Sequence, residues 1–220
     1  MHILLTGGSG GIGKAIHTEL VNSGHTVVAP ASAELDLSNP EVIAHWLSVN
    51  VNQEFDGLVL SAGINNPQYL VDSSLEDYSE IFQINTNSCR QIIQSCVISM
   101  RKKNLGRIVA ISSAYSTLSR EGRSSYSISK AALEALIRSV AVENAEFNIL
   151  SNSIIPGFIE TKLTKKNNSE EQIKKLLERV PVKRLGTPNE VARLASFLVS
   201  EGNTYITGQS IKIDGGFSIN

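Results

Sequence analysis

Several features that mark other classes of protein are scarce in this chain. Two cysteines, Cys89 and Cys96, stand in 220 residues. They share one helical-looking segment seven positions apart, roughly 10.5 Å along a helix axis, which is too far for a disulfide. They read as buried or half-buried thiols in a reducing compartment. Tryptophan occurs once, at Trp46, where its place beside Leu47 in an amphipathic segment reads as core and not as a ligand platform. The histidines, His2, His17, His25 and His45, are scattered without metal-ligand spacing, so no metal site is expected. Excess charge is absent as well. A formal net charge of -1 lacks the clustered Lys and Arg of a nucleic-acid footprint. No apolar run reaches membrane-spanning length, and Met1 to Thr6 passes straight into glycines without the basic end, apolar core and cleavage site of a signal peptide. A cytoplasmic protein is expected, with a small-molecule partner, no nucleic acid and no membrane.

What is present suits one soluble domain: 41% hydrophobic residues in 220, enough to bury a substantial core. His2–Thr6 reads as a strand ending at Gly7-Gly8-Ser9-Gly10-Gly11-Ile12-Gly13, and Ile12, Ile16 and Leu20 then repeat every four residues up to Ser23-Gly24, which predicts strand, glycine turn and helix. Further strands are expected at Thr26–Ala29, Phe55–Leu60, Arg107–Ile111, Ile149–Ile155 and Gln209–Ile213. Helices are expected at Glu41–Leu47, about Leu75–Lys103, Tyr126 to about Glu146 and Pro188–Val199, with a charged amphipathic segment from Thr161 to about Val180. Strands and helices alternate throughout, which argues an α/β fold with a parallel sheet covered on both faces. There is no internal repeat, low-complexity stretch or linker.

Two stretches carry chemistry. A helix N-terminus behind a tight glycine turn offers unpaired N–H groups and a positive dipole end to a pyrophosphate. Gly7, Gly11 and Gly13 give G-x-x-x-G-x-G, which differs from the G-x-G-x-x-G fingerprint. It is no Walker A loop either, since Ala15 follows Lys14. The opening strand-turn-helix context favours dinucleotide binding over a turn that merely needs glycines. The second stretch is Ser112-Ser113 followed by Tyr126 and Lys130, four apart and so on one helix face. An ammonium beside a phenol favours the phenolate, so the Tyr126 pKa is expected below its ordinary value of about 10.

These pieces together resemble the short-chain dehydrogenase/reductases, in particular members similar to 3-oxoacyl-carrier-protein reductases and their sugar and polyol relatives. The family's T-G-x-x-x-G-x-G matches Thr6 to Gly13, its N-A-G matches Ser61-Ala62-Gly63, and its active-site Asn matches Asn85. Its Ser falls at Ser113, its Y-x-x-x-K at Tyr126 and Lys130, and its P-G-x-x-x-T at Pro156, Gly157 and Thr161. Arg184 to Ala192 and Tyr205 to Gly216 complete the family order, so the resemblance spans nearly the whole chain. It implies a Rossmann-type doubly wound sheet, a three-layer αβα sandwich in one domain over residues 1–220, with a substrate lid at about 161–185. It implies interconversion of a carbonyl and a secondary alcohol by hydride transfer with NADP or NAD. Ser113 would hold the substrate oxygen, Tyr126 would exchange its proton, Lys130 would tune Tyr126 and bind the nicotinamide ribose, and Asn85 would support a proton relay. Cofactor contacts are implied at Gly7, Ser9, Gly11, Ile12, Gly13, Ser32, Asp36, Leu37, Ala62 and Gly63, then at Tyr126, Lys130, Pro156, Ile159 and Thr161. A homotetramer or homodimer through the segments at about 75–103 and 126–146 is implied as well.

The chain departs from the family pattern in two places. Ser61 replaces the usual Asn. After the second strand, Ala29 to Asp36 replaces a longer loop and helix. An acidic side chain at that strand end would bind a ribose 2′-hydroxyl and repel a 2′-phosphate; Ala29 and Pro30 are uncharged, so NADP is permitted and slightly favoured, while Glu34 would serve NAD if it swung in. Asp36 reads equally as an adenine ligand and as a cap or turn residue before Pro40. Lys162, Lys165, Lys166, Lys174 and Lys175 could steer an acidic substrate, although such a run interleaved with Glu170, Glu171 and Glu178 usually makes a solvated face. The substrate alternatives are a 3-oxoacyl thioester and a sugar, nucleotide sugar or polyol. A catalytically silent dinucleotide-binding sensor is the non-enzyme alternative.

Overall fold

Six strands, all hydrogen-bonded in parallel, stand in the order β2-β1-β3-β4-β5-β6. A computed structural model describes residues 1–219, apart from the side chains of Leu163 and Lys166. The strands are β1 (His2–Thr6), β2 (Thr26–Val28), β3 (Gly57–Leu60), β4 (Gly106–Ile111), β5 (Ile149–Pro156) and β6 (Ser210–Ile213). The helices are α1 (Gly11–Asn22), α2 (Pro40–Val49), α3 (Leu75–Phe82), α4 (Ser88–Lys103), α5 (Ser124–Asn144), α6 (Lys162–Asn167), α7 (Glu170–Glu178) and α8 (Pro188–Val199).

The strands read as nearly continuous apolar runs because both faces of the sheet are covered, and successive residues serve opposite layers. Leu4, Leu58, Leu60, Ile108 and Ala110 pack with Ile43 of α2, Ile92 and Met100 of α4, and Leu133 and Ile137 of α5. Their neighbours Ile3, Leu5, Val59, Val109 and Ile111 pack on the other side with Ile16 and Leu20 of α1 and Val191, Ala195 and Leu198 of α8. Trp46 leans on the first cluster and stacks on Phe55 at 6.5 Å, the core placement its sequence context predicts. Cys89 and Cys96 are both buried free thiols on α4.

The register sets the site. Thr6 pairs with Leu60, Leu60 with Ala110, Ile111 with Ile154 and Pro156 with Ile213. All carboxyl ends therefore reach one edge of the sheet, and the order reverses between β1 and β3, the place where open α/β sheets bind ligands.

Two expected elements are built differently. The single helix expected over 75–103 is α3 and α4 joined by a π-helical turn at Gln83–Asn87. The segment expected over 161–180 is two short helices, each opened by a hydroxyl cap, Thr161 for α6 and Ser169 for α7. Among the described residues no helix is long and apolar enough to cross a membrane.

Ile108 is fully buried in the middle of the central strand β4. Ile108→Ala is expected to cost about 3 kcal/mol through lost burial and an incompletely filled cavity, seen as a lower urea midpoint with an unchanged slope.

Candidate active site

The end of β1 turns through Gly7, whose φ of 71° is left-handed and suits glycine. A Cβ on Gly13 would lie 2.0 Å from the Gly7 carbonyl oxygen, so α1 can start close under the turn only with glycine there. No side chain caps α1, which leaves the N–H groups of its first turn open toward the sheet edge. Over this turn runs a groove lined by Gly7, Ser9, Ala62 and Gly63 at one end and by Ser32, Asp36 and Leu37 at the other. An uncapped helix N-terminus beneath a side-chain-free turn fits a pyrophosphate.

A second cleft adjoins the groove through Ser61 and Gly63, with Ile12, Ser113, Tyr126 and Lys130 in its walls. Pro156, Ile159 and Thr161 line it as well. Gly11 and Gly13 lie beneath: a Cβ on Gly11 would meet the Thr161 methyl at 2.9 Å. Each residue singled out from the sequence for catalysis or cofactor binding thus falls in the groove, in the cleft, or directly behind one of them.

Ser113 stands two residues beyond the end of β4, and its Oγ accepts from the Tyr115 amide at 3.2 Å, so its own proton is available to donate into the cleft. Tyr126 sits in the first turn of α5. Burial pushes its phenol pKa above the ordinary value, while hydrogen bonding toward Ser113 and the charge of Arg123 pull the other way. This corrects the expectation of a phenol held low by Lys130: desolvation outweighs the nearby charges, and the cation that acts on the phenol is Arg123. The Lys130 ammonium lies 5.9 Å from the Tyr126 ring centre and donates to the Ile111 carbonyl at 2.8 Å. Burial lowers the Lys130 pKa to about 8, against the raising influence of Cys89 and Glu134.

Asn85 stands behind the cleft, fully buried in the π-helical turn. Its Oδ1 accepts from the Ile64 amide at 2.9 Å, and its Nδ2 donates to the Ile64 carbonyl and to Ser129 Oγ, both at 3.0 Å. A Cβ on Gly63 would be 3.2 Å from both Asn85 Oδ1 and Lys130 Nζ, so glycine lets the backbone pass between them. Ser112, adjacent to Ser113, points away and donates to the buried Glu134 carboxylate at 2.6 Å.

The short connection after β2 settles two side chains. Glu34 accepts from the Ala31 amide at 2.8 Å, folded onto its own turn and outside the groove lining. Asp36 accepts from the Ser38 amide and hydroxyl at 2.9 and 2.7 Å, a turn residue that also borders the groove. The lysines of the 161–185 segment turn to solvent: Lys165 pairs with Glu160 and Lys175 with Glu171, Lys162 and Lys174 are exposed, and the Lys166 side chain lies outside the described residues.

The cations that do line the cleft are Lys130, Arg120 and Arg123, and the two arginines carry no signature in the sequence reading. One signal was available: Arg123 precedes Tyr126 by three, so on a helix they share a face. Ser129 and Glu134, which hold Asn85 and Ser112, follow in the same way from Tyr126 along α5. Among the described residues no cluster of three or more His, Cys, Asp or Glu is placed to hold a metal.

Comparison with known proteins gives concordant matches. A family model described as enoyl-(acyl carrier protein) reductase matches residues 13–218. The 3-oxoacyl-[acyl-carrier-protein] reductase of Vibrio cholerae is 34% identical over 97% of this chain and 95% of its own, and that of Aquifex aeolicus 36% identical over the same shares. Among solved structures, a putative NAD(P)-dependent gluconate 5-dehydrogenase from Beutenbergia cavernae with bound NADP superposes with a TM-score of 0.95 at 26% identity, covering 100% of this chain and 97% of its own.

Lys130 supplies a pH test of the site. Its folded pKa of about 8 lies below the ordinary lysine value of 10.5, so between these values the unfolded chain binds more protons and the Lys130 contribution to stability rises with pH. The stability of the wild type relative to Lys130→Met is therefore expected to increase by an amount of the order of 3 kcal/mol between pH 8 and 10.5, measured by urea unfolding; a flat difference would contradict the buried amine.

Proposed function

The chain belongs to the short-chain dehydrogenase/reductase family, NAD(P)-dependent oxidoreductases acting on C=O and CH–OH groups, and from this we propose that Ser113, Tyr126 and Lys130 reduce a ketone with NADPH. The geometry at Ser113 and Tyr126 carries the reading: two hydroxyls open to one cleft beside a buried amine. When bound, the reduced cofactor supplies a hydride to the carbonyl carbon. Negative charge then develops on the carbonyl oxygen, where donors already in place are most effective. Ser113 donates its free proton to that oxygen as a hydrogen bond, and Tyr126, kept protonated by burial, transfers its proton there as general acid. Lys130, held by Ile111, binds the nicotinamide ribose and offers an exchangeable proton near neutral pH. Asn85 fixes Ile64, and with it the path of Gly63 beside Lys130. The relay of protons past Asn85 to solvent, implied by the family resemblance, belongs to the same proposal.

The uncapped α1 turn would hold the pyrophosphate, with Gly7, Gly11 and Gly13 giving it room, and Thr161, over Gly11, would close on it from the 161–185 lid. NADP is favoured over NAD, since Ala29 and Pro30 are uncharged, Glu34 is tied to Ala31, and Ser32 borders the groove; the Beutenbergia neighbour carries NADP. A 3-oxoacyl group is the substrate suggested by the curated relatives, and a sugar acid by the structural neighbour. The buried thiols suit the cytoplasm. Ile98 on α4 and Ile128 and Val142 on α5 are exposed at 60%, 48% and 85%, which suits a dimer or tetramer through these helices.

Tyr126→Phe is expected to lower kcat about 10³-fold with NADPH binding, read by nicotinamide fluorescence, nearly intact. Full turnover in that variant, or an NADH rate above the NADPH rate in the wild type, would overturn the corresponding assignment. Sedimentation velocity is expected to give a dimer or tetramer, and a monomer at micromolar concentration would refute the assembly.

A further inference from the structure

The cleft holds a charge that nothing among the described residues neutralises. Arg123 is only 5% exposed, yet its Nε and Nη1 are buried without any hydrogen-bond partner. Such an arrangement is costly, because a desolvated guanidinium needs its donors matched. Arg107, the other buried arginine among the described residues, shows how this chain meets that need: its guanidinium donates to the carbonyls of Asn203, Gly106 and Asn148, at 3.0, 2.8 and 2.8 Å. Arg123 has no such frame.

Its surroundings raise the demand. Arg120, also in the cleft wall, is close enough that its positive charge acts on Arg123. Arg120 is itself only partly matched, donating to the Tyr115 hydroxyl at 3.1 Å and to Asn168 Oδ1 at 3.0 Å, both neutral acceptors. No Asp or Glu lines the cleft among the described residues. Arg123 is the residue from which α5 springs, so the positive end of the helix dipole adds to the same spot. Tyr126 follows one turn later on the same helix, about 4.5 Å along its axis, which puts the unmatched donors beside the phenol that faces the reacting oxygen.

We propose that Arg123, assisted by Arg120, binds a carboxylate of the substrate itself close to its carbonyl, so that the cleft selects oxo acids, including oxo sugar acids, over the corresponding esters and thioesters. The inference rests on the reading of the cleft as a ketone-reducing site and narrows it. An acyl thioester offers only neutral atoms next to its ketone, whereas a free oxo acid offers two acceptor oxygens that can take paired N–H donors from one guanidinium. Arg123 is then a specificity-determining residue for the reaction, and the lysines of the 161–185 segment are not needed to recognise charge.

The experiment compares acetoacetate with methyl acetoacetate and with an acetoacetyl thioester, in the full chain with NADPH. The ratio of kcat/KM for acid over ester is expected to be about 100 in the wild type, to fall to near 1 in Arg123→Gln, and to recover in part in Arg123→Lys. A readout without turnover accompanies it: malonate should raise the melting temperature of the wild type and not of Arg123→Gln, with circular dichroism confirming that the variant folds and the uncharged Arg123→Met taking its place if it does not. Equal rates on acid and ester in the wild type, or a malonate shift that survives Arg123→Gln, overturn the proposal. A shift with inorganic phosphate and none with malonate overturns the carboxylate in favour of a phosphoryl group. Loss of all ketone reduction with the malonate shift intact would instead refute the ketone-reducing reading and leave the anion site standing.

Discussion

One seam of polar side chains along α5 holds the working edge of the sheet together. Ser129, Lys130 and Glu134 are all buried there, and each reaches a different part of the fold. Lys130 takes the Ile111 carbonyl at the end of β4. Glu134 takes the hydroxyls of Ser112 and Ser210, the latter at 2.8 Å, so β4 and β6 meet on one carboxylate. Ser129 receives Asn85 through its hydroxyl and Thr86 through its carbonyl. An apolar helix face would pack against the same sheet, but it would not fix the depth and rotation of α5 against three separate segments of the chain. Tyr126 inherits that placement because it stands three and four residues before Ser129 and Lys130.

The seam also explains where ionisable groups are tolerated. Buried polar groups are ordinarily matched, and Glu134 and Arg107 follow that rule with several partners each. Lys130 has a single carbonyl and a correspondingly lowered pKa. Arg123 has unmatched donors. The degree of matching therefore falls along α5 toward the cleft, and the residues left short are those that face the space where substrate and cofactor would lie. Burial also pushes the Cys89 thiol up and the Cys96 thiol to about 12, so both remain inert beside this chemistry.

Much of this was legible in the sequence because it is local. The strand-turn-helix opening, the alternation of β and α segments, and the four-residue spacing of Tyr126 and Lys130 each follow from neighbours along the chain. What was not legible depends on distant partners. The π-helical turn leaves no mark of its own in Gln83–Asn87; it is set by Asn85 and Thr86 bonding to Ile64 and Ser129. The direction of the Tyr126 shift is not legible in the sequence, since spacing reveals a nearby charge but not the desolvation that opposes it. Arg123 leaves no sign of its burial either, because an arginine among serines before a helix looks solvated until the fold closes over it. Glu34, which spacing leaves free to turn either way, is settled by a single backbone amide.

The shortened connection after β2 has a bearing on the protein's behaviour in concentrated solution. It leaves β2 as the outer strand, and β2 has three residues, too few to template the docking of a foreign strand. At the opposite margin β6 has only four, with Lys212 exposed upon it. The sheet is thus blunted at both margins, by brevity on one side and by brevity and charge on the other. Self-association through its edges is disfavoured, and the faces of the helices remain as the surfaces by which copies of the chain can meet in register.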